Sequence, residues 1–243
     1  MAVDAAKLPA ARRVALWPAA GWALLLAVYS YTLWLMLRIV LQYVSLSPDA
    51  AFLATKQDYV GLGYYRAAFF IHVFSAGFVL LAAYTQFWPR LRQRYRAWHR
   101  GLGRLYAYVV LGLAGPSGLV LGLYANGGWT SRVAFCLLAA LWIAFTALAL
   151  RAMQARRIEA HARWMIRSYA LALSAVTLRA WKVLLVLLFH PHPMDAYRIV
   201  AWLGWTLNLA LAEALIRWLA ARRARRANLR RPDTRLVPQE VQP

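Results

Sequence analysis

The sequence predicts an all-α fold: a polytopic transmembrane helix bundle of six spans with both termini on the cytoplasmic side. Of its 243 residues, 63% are hydrophobic and 15% charged, whereas soluble proteins average roughly half apolar and a quarter charged. The apolar residues gather in runs long enough, at about 1.5 Å per residue, to cross a hydrocarbon core of about 30 Å. The cations, 29 Lys plus Arg against 8 Asp plus Glu, collect in the short connections between those runs. The length accommodates one such membrane domain and no second one.

The spans are expected at roughly 18–44, 67–88, 103–124, 133–150, 164–189 and 197–216. The first follows a basic stretch, residues 1–17 with Lys7, Arg12 and Arg13, and resembles a signal peptide. It is too long for a signal h-region and no A-x-A site follows, so it reads as an uncleaved span. Spans two and three are joined by a connection carrying Arg90, Arg92, Arg94, Arg96, Arg100 and Arg104, and spans four and five by 151–167 with five more arginines. With the two ends of the chain, these pieces hold 22 of the 29 cations on one face, which the positive-inside rule makes cytoplasmic. Lys56, Arg66, Arg132 and Arg198 fall on the opposite face. Trp17, Trp88, Trp98, Trp129, Trp164 and Trp218 lie near span ends, where amphipathic rings settle. Span three carries Gly112, Gly115, Gly118 and Gly122 around Pro116; this spacing favours close helix approach, and it also leaves room for a flat cofactor. From about Ala220 the chain is polar and Arg-rich, with Pro232, Pro238 and Pro243, and 220–243 reads as a disordered tail suited to anionic lipid headgroups.

Ionisable groups inside a bilayer are expensive and mark candidate sites. Arg38, His72, Arg179 and Lys182 fall within spans at a common depth, with no carboxylate at that level. Together they call for an anion or a strong acceptor: a haem propionate, a quinone oxygen or a lipid phosphate. Snorkelling to the outer headgroups is the favoured reading of Arg38 and Lys182, whereas Arg179 lies too deep for it. At about 100° per residue, His161, Ser168, Ala172, Ala175, Arg179 and His190 follow one line along span five, and His72, Ala76, Val79, Ala83 and Gln86 share a face of span two. Both faces are small or polar and are expected to point into the bundle.

Two inner segments look alike. Tyr95-Arg-Ala-Trp-His99-Arg-Gly-Leu-Gly-Arg104-Leu-Tyr106 opens span three, and His161-Ala-Arg-Trp-Met-Ile-Arg167-Ser-Tyr169 opens span five. If spans 2–3 and 4–5 are parallel repeats, His99 and His161 face each other. Two neutral imidazoles suit the axial positions of a haem b iron, with Arg104, Arg167 or Arg179 near its propionates; both histidines also read as interfacial donors to backbone or headgroups. His190-Pro-His192-Pro-Met194 is an outer turn whose His190 is a further candidate, paired with His72.

The segments His72-x4-Gly77 running to Phe87-Trp88, His99-Arg100-x-x-Gly103-Arg104-x-Tyr106, and His161-x-x-Trp164-Met165-x-Arg167-Ser168-Tyr169-Ala170-Leu171 with Val176-Thr177-Leu178-Arg179 together resemble a bacterial family of predicted membrane proteins, the domain of unknown function 2306, over roughly residues 65–190. The resemblance implies a multi-pass protein of a bacterial inner membrane and singles out His72, His99, Arg100, Gly103, Arg104, Tyr106, His161, Trp164, Met165, Arg167, Tyr169 and Arg179. It supplies no activity. The His-bearing helices are similar in kind to cytochrome b561-like and ferric-reductase-like haem bundles, but those pair histidines at both membrane faces, and here only His72 is well inside a span. A single haem or quinone site is therefore expected rather than a two-haem wire.

Two functional readings follow: a b-type haem or quinone-binding electron-transfer protein, or a non-enzymatic component, a small transporter or an assembly partner of another membrane protein, that binds an anionic ligand or lipid. GxSxG, HExxH and GxxxxGK[ST] are absent, and the few carboxylates are scattered, which argues against hydrolase, ATPase and two-metal chemistry. Nucleic acid is not an expected partner, because the basic residues are divided among four membrane-flanking pieces.

Overall fold

The computed structural model describes residues 10–82, 86 and 93–228, with side chains from residue 20 onward. The calls on Lys7, Arg12, Arg13, Trp17, Ala83, Phe87, Trp88, Arg90, Arg92 and the tail 229–243 lie outside the described residues or side chains. Helices α1 (Ala10–Leu41), α2 (Gly63–Leu81), α3 (Arg96–Leu123), α4 (Trp129–Gln154) and α7 (Pro193–Asn228) each contain a stretch long and apolar enough to span a bilayer. The bent pair α5 (Ile158–Ala172) and α6 (Ser174–Phe189) makes a sixth span when taken as one. The described residues contain no strand. An apolar chain in lipid must satisfy its backbone within each segment, and helices do this.

Helices adjacent in sequence pack as neighbours, and α7 returns to lie on α5 and α4 as well as α6. The central core joins Val79 of α2, Tyr106, Val110 and Ala114 of α3, Trp142 of α4, Leu171 of α5 and Trp205 of α7. Polar side chains close inside it: the Tyr106 hydroxyl meets Ser168 Oγ at 2.8 Å, and Ser168 Oγ meets Thr146 Oγ1 at 2.7 Å. The first helix is less embedded, packing on α2 through Gly77 and reaching the core through Tyr29, whose hydroxyl meets the Leu80 carbonyl and Tyr169. The chain between α1 and α2 folds into a 3-10 turn (Ala51–Lys56) and one helical turn (Gln57–Val60), which bury Leu53 and Val60 against Tyr43, Tyr65 and Phe69.

Three of the four glycines of span three, Gly115, Gly118 and Gly122, act in packing. A Cβ on Gly115 would lie 2.5 Å from Ile143, one on Gly118 2.9 Å from the His72 ring, and one on Gly122 3.0 Å from the Cys136 backbone. Pro116 has no N–H to give the carbonyl four residues back, and the turn Val110–Ala114 widens into a π-helix just before it.

Two boundaries and one helix axis differ most from the sequence reading. Span three begins at Arg96, because the basic run before it is helical and continuous with the apolar part. The last helix continues to Asn228, so residues 220–228 extend it instead of opening the expected tail. Span five is bent by 42° at Leu173, and no proline marks the place. There Asn208 of α7 donates through Nδ2 to the Ala170 carbonyl and to Thr177 Oγ1, both at 3.0 Å, and Thr177 Oγ1 donates to the Gly204 carbonyl at 2.6 Å. A side chain inserted at the backbone ladder is a recognised cause of such a kink.

Candidate functional site

Span two turns its small and polar face inward, as expected: Val79 and Gln86 are buried, and Ala76 and His72 line cavities between helices. The first cavity, of about 180 Å³, lies among α2, the glycine face of α3, α4 and the bend of span five, with Gly118, Leu138, Trp142 and Ser174 in its wall. The second, of about 210 Å³, lies between α1 and α2, with Met36, Val40, Gly77 and Arg179 around it. Phe52, His72, Ala76, Leu121 and Ala175 line both, so the two adjoin at His72.

The imidazole of His72 is oriented by its backbone partner. Nδ1 lies 2.9 Å from the carbonyl oxygen of Ala114, and because a carbonyl only accepts, Nδ1 carries the hydrogen. In the neutral ring Nε2 then holds a lone pair, and it stands as an open acceptor on the cavity wall. Gly118 makes room for the ring edge. Arg179 faces the second cavity from α6 and spends one donor on the Ala175 carbonyl at 2.5 Å. No ion pair involves it among the described residues, so most of its five donors remain available to a guest.

Of the four intramembrane cations and histidines, His72 and Arg179 line the second cavity, Arg179 being otherwise exposed, and the other two line neither cavity. Arg38 is exposed, its guanidinium 5.1 Å from the Trp34 ring centroid, and Lys182 is exposed on α6. His190 adopts a left-handed conformation (φ 46°) as the C-cap of α6, is exposed and lines neither cavity, so the expected pairing with His72 is not formed. A turn that must reverse the chain between two spans accounts for it.

The candidates His99, His161, Arg104 and Arg167 are placed differently. His161 Nδ1 donates to the Ala149 carbonyl of α4 at 2.9 Å, and the His99 carbonyl accepts from Gln86 Nε2 at 3.1 Å. Arg167, read as a partner for a propionate, is held by Glu213 of α7, with Nε to Oε1 at 2.5 Å and NH2 to Oε2 at 2.9 Å, and lies 4.6 Å from the Trp164 ring. That bidentate pair uses the fork an external anion would need. Arg104 is exposed on α3. No group of three or more His, Cys, Asp or Glu side chains able to hold a metal ion occurs among the described residues.

Lys56 was passed over as a loop cation, yet it is 3% exposed and lines the first cavity. Its signal in the sequence was position: it is one of four cations on the face from which the positive-inside rule removes them. Burial and the nearby Arg132, opposed by Asp58, push its ammonium down to about 8. Asn208, which stabilises the bend beneath the cavity, left no sequence signal beyond being an amide in an apolar span.

A family model described as predicted membrane protein (DUF2306) matches residues 69–216, a stretch that takes in His72, His99, His161 and Arg179. No curated protein and no solved structure matches the chain. With more than half of its length covered, and with five or, counting the bent pair as one, six apolar spans, the chain belongs to the DUF2306 family of predicted membrane proteins.

Proposed function

We propose that the protein binds a single-ring amphiphile of the quinone class within the bacterial cytoplasmic membrane, at the adjoining cavities around His72, as a component of membrane electron transfer. The observation that carries this reading is the tethered imidazole: Nδ1–H is committed to Ala114, and Nε2 is left as an acceptor on the wall of an otherwise largely apolar cavity. A quinol hydroxyl donates to such a nitrogen, and a quinone oxygen accepts from an arginine such as Arg179. Size supports a ring: the first cavity measures about 180 Å³, and an engineered apolar cavity of about 150 Å³ admits benzene. The second cavity offers an apolar channel between α1 and α2 for a tail.

The test is saturable binding of a decyl-benzoquinone to the full chain in lipid nanodiscs. His72→Ala is expected to weaken it about tenfold, the equivalent of about 1.4 kcal/mol, with the thermal melt showing that the variant is folded. Binding that is absent, or unchanged in the folded variant, overturns the reading. Haem b is the second reading, supported by His161, whose Nδ1–H is fixed by a backbone carbonyl in the manner that orients an iron-ligating imidazole. The same preparation, reduced with dithionite, either shows a stoichiometric α band or excludes it.

A further inference from the structure

Lys56 ends the outer 3-10 turn and closes the first cavity from above, nearly fully buried. Its Nζ donates to the Tyr124 carbonyl and, at 2.5 Å, to Asn126 Oδ1, and it lies 5.7 Å from the Phe52 ring centroid and 5.6 Å from that of Tyr59. Every one of these partners is neutral. Among the described residues Lys56 has no ion pair, and neither cavity has an Asp or Glu in its wall. Buried charges are normally paired, because desolvating an ion is costly and a counter-charge recovers most of that cost. An ammonium has three donors, and only two are used here. The ionisable side chains around the joined cavities are thus a cation at the roof, an imidazole in the middle, an arginine at the membrane side, and the phenols of Tyr43, Tyr65 and Tyr197.

We infer that Lys56 makes the first cavity selective for a ring that bears an ionised oxygen, a ring carboxylate or ring enolate, over a neutral ring of the same size. The inference rests on the ring-binding reading above and narrows its ligand class: Asp58, the carboxylate that acts on Lys56, is outside ion-pair distance and lines neither cavity, so the anion supplies a counter-charge inside the cavity, with its ring between Trp142 and the glycine face of α3. Being placed on the outer segment, Lys56 meets the ring edge that lies toward the outer surface, while His72 meets the part deeper in the bilayer.

The readout is a ratio of two affinities. 4-Decylbenzoate and decyl-benzoquinone, matched in ring and tail, are titrated into the full chain in nanodiscs at pH 7. The benzoate is expected to bind about tenfold more tightly. Lys56→Gln is expected to bring the ratio close to one, and Lys56→Arg, which keeps the charge, to retain the preference. Equal affinities in the unmodified protein overturn the inference, as does a preference that survives in Lys56→Gln or disappears in Lys56→Arg. If the quinone binds in a His72-dependent way without any benzoate preference, only this inference falls; if neither ligand binds, the ring-binding reading falls with it.

Discussion

A residue's chemistry in this protein follows from which groups surround it rather than from its type. His72 and His161 are both tied through Nδ1 to a backbone carbonyl of a neighbouring helix, Ala114 and Ala149, but only His72 opens on the cavities described. Arg167 and Arg179 are both arginines of span five; Glu213 saturates one, while the other keeps its donors. Lys56 carries a consequence for stability. Its folded value of about 8, against 10.5 for an ordinary lysine, is set first by burial, then by the repulsion of Arg132, with Asp58 opposing. Between those two values the unfolded chain holds a proton that the folded protein has released, so the Lys56 contribution to stability rises with pH across the window and is least favourable below about 8. Melting the protein and Lys56→Gln in detergent from pH 7.5 to 10 checks this: the difference between their melting temperatures is expected to move in favour of the lysine protein, and parallel curves contradict it.

At the scale of elements, cavities arise where helices depart from regularity. In span three, Pro116 and the π turn before it accompany the His72 contact at the Ala114 carbonyl, and Gly118 lets the ring approach to a distance no side chain would permit. Span five bends at Leu173 and places Ser174 and Ala175 in the cavity wall. Gly118→Ala is expected to displace the imidazole, cost about 1–3 kcal/mol by overpacking, and weaken quinone binding as His72→Ala does. Gly112→Ala, whose added Cβ meets nothing within 4 Å, is the comparison and is expected to leave the melt within about 1 kcal/mol of the parent. Equal effects of the two substitutions would contradict the close-approach role. The glycine spacing and the proline were visible in the sequence. The bend was not, since the amide that bonds the backbone there, Asn208, lies 35 positions further along from Leu173.

For the whole molecule, orientation and environment come from the distribution of charge and apolar residues. The arginines cluster on one face, with Arg223 near Glu159 at 3.2 Å among the exposed pairs there, and the large exposed side chains of α1 and α6 form an apolar girdle. Trp98, Trp129 and Trp218 are exposed at span ends, whereas Trp164 turns inward to Phe145, 5.4 Å between centroids. Both termini are expected inside. In a Cys136→Ser background, a cysteine replacing exposed Asp49 is expected to react with a membrane-impermeant maleimide in intact spheroplasts, and one replacing exposed Gln154 only after lysis. The reverse pattern would invert the topology and put Lys56 and the cavity roof on the cytoplasmic side.

The sequence alone was sufficient for the membrane, the number of spans, the inward face of span two and that of span five as far as Ser168 and Ala172, because these are properties of a single helix: apolar length, the 3.6-residue period, and charge at the ends; beyond the bend, Arg179 and His190 on the same line are exposed. It singled out Arg38, His72, Arg179 and Lys182 together, because an ionisable group in hydrocarbon is costly wherever it meets lipid. Which partner each one meets was decided only by the tertiary structure. Arg167 found a carboxylate on α7, Arg38 and Lys182 turned outward, His190 capped a helix, and Lys56, from the turn between α1 and α2, was folded over a cavity walled by α2, α3, α4, span five and Tyr197 of α7. Periodicity states the face a side chain takes; the packing of one helix on another, set by where glycines allow approach and an amide breaks the ladder, states what that face touches.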